Sequence, residues 1–139
     1  MTDMLEIGRS ILASQGFSAL LGAELTVMEP GRAELQLALD GRHRQQHGFA
    51  HGGVLAYLAD NAMTYAGGTV LQPILTLEMK INYVRPAIGD RLIARATVLS
   101  SGRTTAVCEC KVYAVQDGVE KLVAVAQGTV AVAAGRSPD

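Results

Sequence analysis

The chemistry-bearing stretch reads Gln45-Gln46-His47-Gly48-Phe49-Ala50-His51-Gly52-Gly53 and continues as Val54-Leu55-Ala56-Tyr57-Leu58-Ala59-Asp60-Asn61-Ala62-Met63-Thr64-Tyr65-Ala66. A glycine pair opens an apolar helix, and His51 stands at its entrance. One carboxylate, Asp60, lies inside the apolar run about two turns later. Backbone N–H groups at a helix N-terminus can hold a developing oxyanion. A carboxylate in apolar surroundings can serve as base or nucleophile. Together these groups point to acyl transfer.

Such a site needs a helix held rigidly at both ends. The periodicity predicts that helix over residues 53–66, with Gly67-Gly68 as its stop, because glycine tolerates a left-handed C-terminal residue. It is apolar nearly all round, so it must be buried on most sides. Ala56, Ala59, Ala62 and Ala66 are small enough for a sheet to approach closely. Upstream, residues 3–15 read as a short amphipathic helix ending before Gly16. Residues 23–28 and 32–39 read as a hairpin about the Pro30-Gly31 turn, followed by a loop over 40–50. Downstream, strands are predicted over 74–84, 91–100, 104–115 and 121–133, with the last seven residues frayed. Helix, two strands, helix and four strands define an α+β class: an antiparallel sheet wrapped around a central helix, one domain over residues 1–139.

The composition excludes several functions. Of 139 residues, 49% are apolar and 18% charged, so the chain can build a core. Twelve basic and 13 acidic residues give a formal charge of -1, which leaves no electrostatic footprint for nucleic acid. No apolar run is long enough to span a membrane. Residues 1–15 lack the pattern of a signal peptide, so a cytoplasmic location is expected. Cys108 and Cys110 fall on one side of a strand and read as reduced packing residues, with too few ligands for structural zinc.

These residues resemble the hotdog-fold acyl-CoA thioesterases, in particular the phenylacetic-acid-pathway (PaaI-like) branch and its 4-hydroxybenzoyl-CoA thioesterase relatives. The resemblance rests on Gln45, Gly48, His51-Gly52-Gly53 and Asp60, on Asn82-Tyr83-Val84-Arg85-Pro86-Ala87, and on Gly102-Arg103-Thr104-Thr105. It covers nearly the whole chain. It implies hydrolysis of a coenzyme A thioester, aryl or medium-chain, to the free acid and CoA. It also implies a homodimer with active sites shared across its interface, paired into a dimer-of-dimers tetramer. No metal or redox cofactor is implied, since coenzyme A belongs to the substrate.

By the same resemblance, Gly52 N–H polarises the thioester carbonyl with Gln45 assisting, and Asp60 from the facing subunit is nucleophile or general base. Thr64 or Thr76 positions water. Gln45 stands where many PaaI-like members carry Asn; Gln is the hydroxybenzoyl-type pattern, usually paired with Glu. Arg85 and Arg103, with Thr104, are candidates for the coenzyme A phosphates, and Asn82 for the pantetheine arm. Tyr57, Tyr65 and Tyr83 line an acyl pocket or pack at the dimer interface.

Each assignment has a plainer rival. Asp60 could cap a neighbouring backbone group, and Gly52-Gly53 could be a tight turn. His43, His47 and His51 recur every four residues, as a metal site on a helix would, but Gly41, Gly48 and Gly52 interrupt any helix there. His51 is expected instead to orient the loop. The rival to an enzyme is a hotdog module that binds acyl-CoA without turning it over.

Overall fold

The computed structural model describes residues 3–133. Helix α1 spans Met4–Ser14, its first turn capped by the Asp3 carboxylate, which accepts from Glu6 N–H at 3.0 Å. The chain then bends at Gln15 and continues as a short helix α2, Gly16–Leu21, closed by Gly22. The break expected before Gly16 is therefore a corner between two helices; six residues are too few to show a helical period. Of the last seven residues, expected to fray, all but Ala133 lie outside the described part.

Six strands follow in chain order: β1 Ala23–Glu29, β2 Arg32–Ala38, β3 Ile74–Tyr83, β4 Arg91–Ser101, β5 Thr105–Gln116 and β6 Val119–Val132. They form one antiparallel sheet in the order β1-β2-β4-β5-β6-β3. Helix α3, Gly52–Gly68, lies between β2 and β3 in the chain and carries it from one side of the sheet to the far edge. The loop predicted over 40–50 contains one 3-10 turn, Gly41–His43.

Helix α3 touches all six strands. Six flat strands would span roughly 24 Å, more than twice a helix diameter, so the sheet must curl around α3. Alanine explains how closely it does so: Ala59, Ala62 and Ala66 are fully buried. Leu35, Leu37, Leu58, Met63, Leu92, Val112 and Val130 fill the layer between, each contributing about 1.5–3 kcal/mol by burial. Cys108 and Cys110 sit in this layer as free thiols. Burial pushes the Cys110 thiol up to about 12, with the nearby Glu109 carboxylate adding to the effect, so it stays protonated and inert.

Gly67 and Gly68 do not stop the helix. Both are helical, and Thr69 caps it with a right-handed backbone. The Thr69 hydroxyl donates to Ala66 O at 2.7 Å and accepts from Gly31 N–H at 2.9 Å, tying the β1–β2 turn to the end of α3. Gly67 is required for approach: a Cβ there would lie 2.6 Å from Val130 Cγ2.

Strand β3 is one edge of the sheet. Its partner is β6, and its other side is unpaired among the described residues, as is that of β1 at the opposite edge. Leu75 and Leu77 point outward from β3 and are 65% and 64% exposed.

Candidate active site

The start of α3 is built by the loop before it. His43 is buried, with both ring nitrogens engaged: Nδ1 accepts from Asp40 N–H at 3.0 Å and Nε2 donates to Leu21 O at 2.8 Å. This partner set assigns the neutral Nε2–H tautomer and leaves neither nitrogen for a metal. The His43 carbonyl accepts from His51 N–H at 2.8 Å, so His43 fixes where α3 begins. Sequence reasoning weighed His43 only as a metal ligand; its role lies in contacts with α2, which were not foreseen.

His51 is the N-cap. Its Nδ1 accepts from Gly53 N–H at 2.9 Å, and its carbonyl accepts from Val54 N–H at 2.9 Å. Gly52 N–H, the first of the helix and ahead of those two, has no partner among the described residues. It is an oriented donor of the kind that holds an oxyanion. Tyr83, from the end of β3, packs over it: its hydroxyl donates to Gly52 O at 3.2 Å, and a Cβ on Gly52 would meet the ring at 3.4 Å.

Gln45 flanks the same point. Its Oε1 accepts from His47 N–H, which leaves the two Nε2 donors of its amide unengaged. Gln45, Gly52, Leu55, Tyr83 and Arg85 line a groove of about 380 Å³ at this end of the helix. Arg85 is exposed and pairs with no carboxylate among the described residues.

Asp60 lies further along α3, half-buried. Thr76, from the third position of β3, donates to Asp60 Oδ1 at 2.7 Å. The other hydroxyl candidate, Thr64, donates back to Asn61 O at 2.7 Å within the helix. The structure thus brings Thr76, and not Thr64, to the carboxylate. Thr76→Val keeps the shape and removes the donor. A hydrogen bond to a charged group is worth about 1.5–3 kcal/mol, so kcat is expected to fall about 10- to 100-fold, and Tm to fall as well because the Asp60 carboxylate loses its donor. A steady-state comparison with wild type checks this, and an unchanged kcat would remove Thr76 from the site.

Within one protomer the candidate residues form two separate groups. Gly52 and Asp60 are eight residues apart on one helix, about 12 Å along its axis, too far to act on one carbonyl carbon. Arg85 follows the end of β3, whereas Arg103 and Thr104 sit in the β4–β5 turn beside the start of β3, where Thr104 O accepts from Val132 N–H. The ends of β3 are about 30 Å apart. Asn82 lies on the outer face of the sheet, in a groove with Glu78, Lys80 and Gln127.

An antiparallel sheet curled on one buried helix, with a free N–H at the helix start and a carboxylate two turns on, is the hotdog fold in its PaaI-like form. The chain belongs to the thioesterase superfamily, whose family model matches residues 47–121. A thioesterase family protein from Silicibacter pomeroyi superposes with a TM-score of 0.88 at 36% identity, covering 93% of this chain and 97% of that one. A 1,4-dihydroxy-2-naphthoyl-CoA hydrolase from Listeria monocytogenes is 29% identical over 84% of this chain and 95% of its own length. The acyl-coenzyme A thioesterase PaaI of Escherichia coli is 30% identical over 78% of this chain and 76% of its own length.

Proposed function

We propose that the protein hydrolyses acyl-CoA thioesters to a free acid and coenzyme A, at sites each assembled from two copies of the chain. The observation that carries this is the unpartnered Gly52 N–H on the same buried helix as the Asp60–Thr76 pair. The thioester carbonyl oxygen accepts from Gly52 N–H and from the Gln45 amide. Asp60 takes a proton from water held by Thr76, or attacks the carbonyl carbon directly. In the first case the hydroxide adds to the carbonyl carbon, the C–S bond breaks, and the sulfur leaves as the coenzyme A thiol with the proton from Asp60. In the second the C–S bond breaks to give an acyl–Asp60 anhydride and the thiolate; water then hydrolyses the anhydride, freeing Asp60 and supplying the thiol's proton. The scheme uses no metal and no redox cofactor.

The open edge of β3 supports the shared site. Two copies joined by this edge in antiparallel fashion would extend the sheet and cover Leu75 and Leu77. Such a two-fold arrangement sets the start of one β3 beside the end of the other. The Asp60–Thr76 pair of one copy then approaches the Gly52, Gln45 and Tyr83 group of its partner. The same pairing brings Arg103 toward the partner's Arg85 end, so that both cations can meet the coenzyme A phosphates. A tetramer would pair two such dimers. Residues 3–133 contain no helix long and apolar enough to cross a membrane, and the free thiols fit the reducing cytoplasm.

Complementation tests the pairing. Asp60→Asn and Gln45→Ala are each expected to be weak enzymes alone. A mixed dimer holds one doubly altered site and one wild-type site. Co-expressed variants, with the mixed dimer isolated by two affinity tags, should regain about half of wild-type kcat per dimer. No recovery would place Asp60 and Gln45 of one chain in the same site.

A further inference from the structure

Strand β3 meets helix α3 at two points, Thr76 at Asp60 and Tyr83 at Gly52. Side chains alternate along a strand, so Thr76 and Tyr83, seven residues apart, would face opposite sides of a regular sheet. A bulge resolves the conflict. Thr76 pairs with Val130 and Glu78 with the adjacent Thr129, which leaves Leu77 as an extra residue without a partner on β6. That one residue restores the phase. Met79 and Ile81 pack on the core, and Tyr83 turns to the helix on the same side as Thr76. A bulge also bends its strand and sharpens the local twist.

The bend leaves its mark on the neighbouring strand. Met79, just past the bulge, lies opposite Gly128 of β6. Gly128 is buried and alternates with Ala126 and Val130, both core residues. A Cβ on Gly128 would lie 2.8 Å from Glu78 O and 3.3 Å from Met63 Cε. In a regular pair the facing Cβ atoms stand about 4.5–5.5 Å apart and the carbonyls lie in the sheet. A backbone oxygen this close to the inner face means that the bulge tips the Glu78 carbonyl over Gly128. The φ of Gly128 lies outside the left-handed region, so the position needs room rather than backbone freedom. The Met63 methyl could step aside, but the Glu78 backbone could not. Any side chain here would push Glu78 and Met79 away, with Thr76 two residues upstream of them. It would also press on Met63, one turn after Asp60 on α3. Both partners of the 2.7 Å hydrogen bond between Thr76 and Asp60 thus depend on the space at Gly128.

We propose that Gly128 is a positioning residue for the reaction: by leaving room for the β3 bulge, it holds the Thr76 hydroxyl against Asp60. The assignment rests on the thioesterase reading above and adds to it a residue that acts on the chemistry only through the Asp60–Thr76 contact.

The test is a double-mutant cycle of Gly128→Ala and Thr76→Val, read as kcat and as Tm. Alone, Gly128→Ala is expected to lower kcat about 10-fold or more at little-changed KM, since a misplacement of about 1 Å can cost about 100-fold. Thr76→Val, which removes the hydroxyl, should lower kcat by less than about threefold in the Gly128→Ala chain, because the hydrogen bond is already broken there. A Gly128→Ala enzyme with wild-type kcat overturns the proposal. So does a Thr76→Val change that lowers kcat by the same factor in both backgrounds, since the glycine then serves packing alone. Should wild type release no thiol from acyl-CoA, the hydrolysis reading fails and the melts decide. A Tm loss from Thr76→Val that shrinks in the Gly128→Ala background sustains the positioning role; an equal loss in both overturns it. Should Gly128→Ala not fold, deletion of Leu77 takes its place in the melts, because it removes the bulge and leaves the other β3–β6 pairs in register. The Tm loss from Thr76→Val should then vanish in the deletion, and its full retention overturns the proposal.

Discussion

Asp60→Asn is expected to lower kcat for acyl-CoA hydrolysis by about 10²- to 10⁴-fold, the usual contribution of a positioned acid–base group. The substitution is close to isosteric. The Asn oxygen can still accept from the Thr76 hydroxyl, so the α3–β3 contact survives and Tm should stay within about 2 °C. What disappears is the charge that accepts a proton or attacks carbon. KM should move little, because that charge acts in the transition state more than in the bound substrate. Thiol release with Ellman's reagent, over aryl, medium-chain and long-chain acyl-CoAs, gives the comparison. Turnover within tenfold of wild type would move the chemistry away from Asp60. A wild-type protein that binds acyl-CoA tightly and releases no thiol would instead be a sensor.

The largest effect on stability is expected at Gly89, far from the carboxylate. Its φ of 153° lies where side chains are strained, and a Cβ there would overlap the carbonyl of Val115. The neighbouring Asp90 leaves little room to adjust. Its N–H donates to that same carbonyl at 2.9 Å, and its own carbonyl accepts from Leu39 N–H at 2.8 Å. Gly89 thus sits where the ends of β2 and β5 are fastened at the entry to β4. Gly89→Ala combines backbone strain with a backbone clash and should cost about 3 kcal/mol or more, a fall in Tm of about 10 °C. Gly16→Ala, where a Cβ meets open space, is the control and should sit near zero. A thermal melt in which the two variants coincide would contradict this account of the corner.

The parts of the site legible in the sequence were those written locally. The opening of α3, the histidine at its entrance and the lone carboxylate on an apolar helix all follow from residues within a few positions of one another. The strands were legible too, because alternation and turn residues mark each one. What escaped was anything set by packing between distant segments. Thr64 and Thr76 looked equivalent because helical spacing puts Thr64 one turn from Asp60, and no local signal says its hydroxyl turns back to Asn61. Thr76 reaches Asp60 only because α3 carries the chain to the far edge of the sheet, an order that strand periodicity does not encode. Gly67 read as a helix stop on conformational grounds, yet its lack of a side chain serves contact with β6. His43 showed the same gap, since its partner Leu21 belongs to a helix too short to be read.

The division of the working groups along α3 also has a kinetic meaning. With Gly52 and Asp60 about 12 Å apart on one rod, an isolated chain in the proposed pairing holds two half-sites and no whole one. Specific activity then becomes a function of protein concentration. It should fall on dilution through the association constant of the β3 edges and recover on reconcentration, by mass action alone. Abundance in the cell would set the catalytic power of each molecule as well as the number of molecules.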